Sequence, residues 1–230
     1  MVILMKFVNG AIRLFFTLAV PILLVLFSVR LIMTPLFLQI EYNRPGFPDD
    51  PYGFTREERL LHAGQMLDYL IYNQPVEAIS ELTFPDGEPL FNPREVRHME
   101  DVQVVTRIAY FILFFMSLAT AIISLYSARR EESRAALRIG LTQGAVLTLA
   151  LIGAIVVLAI FAWDLFFNSF HELLFDPGTW RFAFSDTLIR LFPEQFWFDA
   201  AILIGGLSGI GALGILWLTG AGLRFPYLSK

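Results

Sequence analysis

The chain has 230 residues, 56% of them hydrophobic and 17% charged, with a mean hydropathy of +0.62. A soluble domain averages roughly 45–50% apolar and about 25% charged, so this composition points to a membrane protein. The absence of cysteine excludes disulfides, thiolate nucleophiles and cysteine metal sites, and a net charge of −4 argues against a nucleic-acid partner, which demands a clustered basic face.

A helix crossing roughly 30 Å of hydrocarbon needs about 20 mostly apolar residues. The first such run covers about residues 11–38, with Pro21 expected to bend the helix rather than end it. It is longer than the apolar core of a signal peptide and no small-x-small cleavage site follows it, so it is expected to be retained. An outer cap is expected over about residues 39–103, containing one amphipathic helix. That helix begins at Thr55, with Glu58 at capping-box spacing, and buries Leu60, Leu61, Met66, Leu67, Leu70 and Ile71. Further spans are expected at about 104–127, 139–167 and 198–222. Between the last two lies an aromatic-rich segment, about 168–197, broken by Pro177-Gly178 and Pro193 and too irregular to cross. The fold expected is therefore all-α and integral to the membrane: a single domain over residues 1–230 with four transmembrane helices, a small outer cap and an outer interfacial segment.

Basic residues in short loops resist translocation. Arg129, Arg130, Arg134 and Arg138 lie between the second and third spans, Lys6 and Arg13 flank the first, and Arg224 and Lys230 follow the fourth. Both termini are thus expected in the cytoplasm, with the cap and the aromatic segment outside.

His171-Glu172 begins like the zinc signature H-E-x-x-H, in which two histidines one helical turn apart bind the metal. The fifth position is Phe175, which cannot donate a lone pair, so that signature fails. Gly209 to Gly214 matches G-x-G-x-x-G but lies inside a span with no strand before it, so a dinucleotide site is not expected, and there is no P-loop. Ala201, Gly205 and Gly209, and separately Gly140 and Gly144, have the spacing of helix-packing faces.

Of the three histidines, His62 sits in the cap helix and reads as structural. His98 immediately precedes the second span and His171 immediately follows the third, so both are expected at one depth, where the outer segments meet the membrane. Asp101, at i+3, is placed to orient His98, with Arg97 competing for that carboxylate, while Asn168 at i−3 is placed to support His171. Phe170, Phe175, Trp180, Phe196 and Trp197 are candidate pocket walls.

Four spans with an outer cap, "RHMEDV" leading into the second helix and "FHELLF…W…LFPEQFW" after the third resemble the bacterial lipoprotein intramolecular transacylase family. The likeness extends over nearly the whole chain in architecture, while its specific motifs occupy about residues 95–102 and 168–198. It implies a cofactor-free, metal-free enzyme in the bacterial cell membrane. It also implies a membrane-anchored diacylglyceryl lipoprotein substrate, whose sn-2 acyl chain moves to the α-amino group of the lipidated cysteine to give the lyso form. His98 and His171 match the family's two essential histidines. The alternatives are a lipid hydrolase or acyltransferase, with a metal held by His98, His171 and Asp101 or Glu172, and a non-enzymatic scaffold or transporter subunit.

Overall fold

The computed structural model describes residues 2–220. Nine helices account for the regular structure among these residues, and their only extended pairing is an isolated bridge between Thr83 and Pro89. Four helices are long and apolar enough to cross a membrane: α1 (Val2–Ile32), α5 (Pro93–Ala128), α6 (Glu131–Phe161) and α9 (Glu194–Leu218). Between them run α2 (Pro35–Asn43), α3 (Arg56–Ile71), α4 (Glu77–Ser80), α7 (Trp163–Leu174) and α8 (Thr187–Leu191).

The ends of these helices have local chemical causes. α1 passes through Pro21 without interruption and stops at Ile32, short of the expected position 38. The reason is a new start at Thr34-Pro35: the Thr34 hydroxyl accepts from the Phe37 N–H at 3.3 Å, and proline occupies the first helical position, where its missing N–H costs nothing. α6 ends at Phe161 rather than 167, and the chain restarts as α7 with Asp164 in its first turn, where a carboxylate suits the helix dipole. α9 begins at Glu194, and positions 221 and 222, with Arg224 and Lys230, lie outside the described residues.

The chain divides into two compact units. One contains the residues through Val29, Phe111–Val157 and the residues from Leu203 onward. In it α1 lies against α6 at Gly140 and Gly144. A Cβ added at Gly144 would stand 2.6 Å from the Phe16 carbonyl oxygen and 2.7 Å from Val20 Cβ, and one at Gly140 would stand 2.8 Å from the Arg13 carbonyl oxygen. Only hydrogen fits there, as in the small-residue contacts of membrane helices. Polar ties follow the same seam: Arg13 Nε donates to Gln143 Oε1 at 2.7 Å and Asn9 Nδ2 to the Glu132 carbonyl at 2.8 Å. Ser28 and Ser208 share a buried hydrogen bond at 3.0 Å that links α1 to α9. Gly205 approaches Val156, but a Cβ at Gly209 would meet nothing within 4 Å, so the expected packing face of α9 is shorter than its glycine spacing. We expect Gly144→Ala to destabilise this unit by about 1–3 kcal/mol, the usual penalty for overpacking, because the obstructing atom is backbone. Thermal unfolding in detergent measures it, and an unchanged midpoint would show that the seam is free to shift.

The other unit contains Arg30–Tyr110 and Leu158–Ile202. Here α3 opens with the expected capping box, Thr55 and Glu58 exchanging hydrogen bonds. Met66 and Tyr69 of α3 pack with Ile79, Leu90, Phe91, Met99, Leu188 and Leu191 in one core. Ala63 and Leu67 pack with Phe37, Leu38, Tyr42, Phe196 and Ala200 in a second, and Phe192 touches both. Asp50 and Arg190 form a mostly buried ion pair at 2.9 Å, and the Arg190 guanidinium lies 3.8 Å over the Phe54 ring. His62 bonds to Gln65 at 2.9 Å, as suits a structural residue.

Candidate active site

The first turn of α5 is built by another capping box. Asn92 Oδ1 accepts from the backbone N–H groups of Arg94 and Glu95, and Glu95 Oε2 accepts from the Asn92 N–H at 2.7 Å. The second Glu95 oxygen accepts from the Leu188 N–H at 2.7 Å, which ties α8 to the start of α5. Thr187 adds a bond from its hydroxyl to the Leu90 carbonyl at 2.6 Å, and the Arg94 guanidinium donates to the Arg181 carbonyl. One turn along α5 from Glu95 stands His98, so these ties bring the chain around Trp180 and Phe182 to the face that carries the histidine.

His98 and His171 face each other with ring centroids 6.4 Å apart and planes inclined by 28°. Phenyl rings close the space around them: Phe175 lies 5.0 Å from His98 and 5.8 Å from His171, and Phe182 lies 5.4 Å from His98. Trp180 lies 4.7 Å from His171, Phe167 4.1 Å and Phe170 5.5 Å. His171 Nδ1 stands 2.7 Å from the Phe167 carbonyl oxygen. A carbonyl can only accept, so Nδ1 carries the proton and the lone pair is left on Nε2, the arrangement of a general base. Burial pushes the His171 pKa below the usual histidine value by penalising the cation, and the bond to Phe167 opposes this in part. His98 is buried and its Nδ1 has no hydrogen-bond partner among the described residues.

The supporting residues expected from spacing do not make the contacts foreseen for them. Asp101 forms no bond to His98, because the imidazole turns toward Phe175 and Phe182 of other segments instead of along its own helix. Arg97 is exposed and forms no side-chain bond among the described residues. Asn168 donates to the Asp164 carbonyl at 2.6 Å, and the role foreseen for it at His171 is taken by the Phe167 carbonyl, one helical turn earlier. Phe170, Phe175 and Trp180 do line the pair, whereas Phe196 packs against Phe37, Tyr42 and Phe192 in the second core, and Trp197, which is exposed, lies against Phe192 and Phe196. Among the described residues no three His, Asp or Glu side chains gather closely enough to hold a metal ion. Spacing alone missed Phe167, Phe182 and Glu95. Glu95 had a readable signal in the capping pattern Asn92-x-x-Glu95 and Phe167 in its i−4 position to His171, while Phe182 became visible only when distant segments met.

Comparison with known proteins agrees with this architecture. A sequence model described as lipoprotein intramolecular transacylase Lit matches residues 14–197. An uncharacterized protein of Aquifex aeolicus is 29% identical over 198 residues, covering 86% of this chain and 88% of its own. Among solved structures, the membrane-integral lipoprotein intramolecular transacylase Lit from Bacillus cereus superposes with a TM-score of 0.75 at 18% identity, covering 97% of this chain and 100% of that one. A variant of the same protein with a histidine replaced by alanine gives a TM-score of 0.71 at 18% identity, with 99% of each chain covered. At such identities these superpositions speak to the fold, an all-helical protein integral to the membrane. The sequence model spans most of the chain, and by it the chain belongs to the lipoprotein intramolecular transacylase family.

Proposed function

We infer that this enzyme moves the sn-2 acyl chain of a diacylglyceryl-cysteine lipoprotein from its glyceryl oxygen to the α-amino group of the same cysteine, leaving the lyso form. The observation that carries the reading is the facing pair of imidazoles, His98 buried and His171 half-buried, 6.4 Å between centroids, with the His171 proton tied to a carbonyl and its Nε2 free.

The reaction asks for little else. The amine nitrogen attacks the ester carbonyl while His171 Nε2 takes the ammonium proton. The tetrahedral intermediate then collapses, the carbon–oxygen bond to glycerol breaks, and His98 gives a proton to the departing oxygen. The proton held by His171 makes good that loss, so none is gained or lost overall. An α-amine has a pKa of roughly 7.7–8.0 and is mostly protonated at neutral pH, so a nearby imidazole held neutral by its apolar walls is well suited to activate it. Ester-to-amide transfer runs downhill and needs no nucleotide. Because amine and ester belong to one molecule, holding them aligned supplies up to about 7–11 kcal/mol of the barrier in favourable cases. Phe170, Phe175, Trp180 and Phe182 exclude the water that would otherwise hydrolyse the ester.

The reading also sets an orientation: both termini and the Arg129–Arg138 connection lie in the cytoplasm, and the histidines lie at the outer face of the bacterial cell membrane, where a lipoprotein is anchored. Its test is mass spectrometry of a reporter lipoprotein's N-terminal peptide in a bacterium lacking other N-acylating enzymes. Expression of this chain should convert a diacylglyceryl peptide with a free amine into one whose amine bears an acyl chain and whose glycerol bears one fewer. A peptide that keeps both glyceryl chains, with the protein present in the membrane, would overturn the reading.

A further inference from the structure

Among the described residues, two of the buried polar side-chain atoms without a hydrogen-bond partner belong to the histidine site: His98 Nδ1 and Trp180 Nε1. An indole N–H in a protein interior nearly always finds an acceptor, because an unmade hydrogen bond leaves its desolvation uncompensated. Trp180 is only 5% exposed, so bulk water does not reach its N–H. Its ring is fixed 4.7 Å from the His171 ring and 6.2 Å from that of Phe167.

We propose that the Trp180 indole N–H is the donor that receives the ester carbonyl oxygen as it becomes an oxyanion, which makes Trp180 a third catalytic residue. The proposal rests on the transacylase reading and extends it. Its logic is a count of needs against groups. When the amine nitrogen bonds to the carbonyl carbon, the π pair moves onto oxygen. The intermediate then presents an ammonium proton to be removed, a leaving oxygen to be protonated and an oxyanion to be stabilised. His171 meets the first and His98 the second. The third calls for a donor that does not give up its proton, and an indole N–H donates without ionising. Collapse returns the pair to the carbonyl and expels the glyceryl oxygen, with the indole unchanged. The Arg181 guanidinium lies over the Trp180 ring, 5.0 Å from its centre, and puts positive charge beside the indole.

The test replaces Trp180 with 3-benzothienylalanine, an isostere with sulfur where the indole has N–H, and separately with phenylalanine. Each full-length protein is purified in lipid nanodiscs and given a diacylglyceryl lipopeptide. Loss of one oxyanion donor typically lowers kcat by about 10²–10³-fold, and a bond made only in the transition state leaves KM nearly unchanged. That pattern in both proteins is the expected result. An isostere as fast as wild type would overturn the proposal, even if Trp180→Phe is slow, because the ring's shape and not its N–H would then matter. A rise in KM at unchanged kcat would overturn it too, leaving Trp180 as a wall of the acyl pocket. A wild-type protein that produces no lyso peptide brings down the transacylase reading itself, and this proposal with it.

Discussion

His98→Ala and His171→Ala should each slow acyl transfer by about 10²–10⁴-fold, the usual worth of a positioned acid or base. The double variant should fall little further, since residues that act as a unit are far from additive. Single-turnover conversion of a diacylglyceryl lipopeptide, followed by mass, measures all three. Full additivity would mean that the two imidazoles do not work as a unit on one substrate. The pH profile distinguishes the roles. His171 has its pKa depressed by burial, so its neutral form persists below the ordinary histidine value of 6.5. The wild-type rate should therefore climb through neutral pH with the deprotonation of the substrate amine, near roughly 7.7–8.0. A profile limited instead by a midpoint near 6.5 would mean that His171 is solvated in the working enzyme. Stability carries a matching sign. Between the depressed folded pKa and 6.5, the unfolded chain binds the proton that the folded one refuses. The contribution of neutral His171 is thus complete above about 6.5 and is lost as pH falls through that window.

What could be read from the sequence was whatever local chemistry encodes. Apolar run length gave four spans because hydrocarbon thickness sets a length, and the Thr55–Glu58 box marked the start of the cap helix because its bonds join residues three apart. The pairing of His98 and His171 was legible through topology alone: one precedes the second span and the other follows the third, and two successive crossings return the chain to the side it left. Asp101 and Asn168 were chosen as side chains close along a helix. The His98 imidazole turns instead to Phe175 and Phe182 from elsewhere in the chain, and the His171 imidazole is held by the Phe167 backbone carbonyl of its own helix, a partner that side-chain identity does not encode. Phe196 and Trp197 share the aromatic composition of the pocket, but Phe196 belongs to another core with Trp197 exposed beside it, and composition cannot tell these places apart. The break at Ala162 carries neither glycine nor proline, so hydropathy ran on through it.

Glu95 connects the fold to the chemistry, and its removal should be felt in both. Its carboxylate is 1% exposed and spends one oxygen on the Asn92 N–H and the other on the Leu188 N–H, each at 2.7 Å. Glu95→Ala leaves the buried Leu188 N–H and the half-buried Asn92 N–H without acceptors. At about 1–3 kcal/mol for each orphaned group, the expected loss is about 2–6 kcal/mol in total. Glu95→Gln keeps one carbonyl oxygen and turns an NH₂ toward the other donor, so it should fall between wild type and alanine. Thermal unfolding in detergent reads the stability, and an alanine variant with an unchanged midpoint would mean that other acceptors take over. The functional consequence follows from position, because His98 lies three residues on and α8 is tied to the same turn through Thr187 and the Leu90 carbonyl. If both ties serve to hold α8 in place, Thr187→Val should cost stability and turnover in the wild-type background and much less once Glu95 is gone. Contacts that share one docking event couple in a double-mutant cycle. Independent losses in that cycle would instead confine Glu95 to capping its own helix and remove α8 from the account of how His98 is placed.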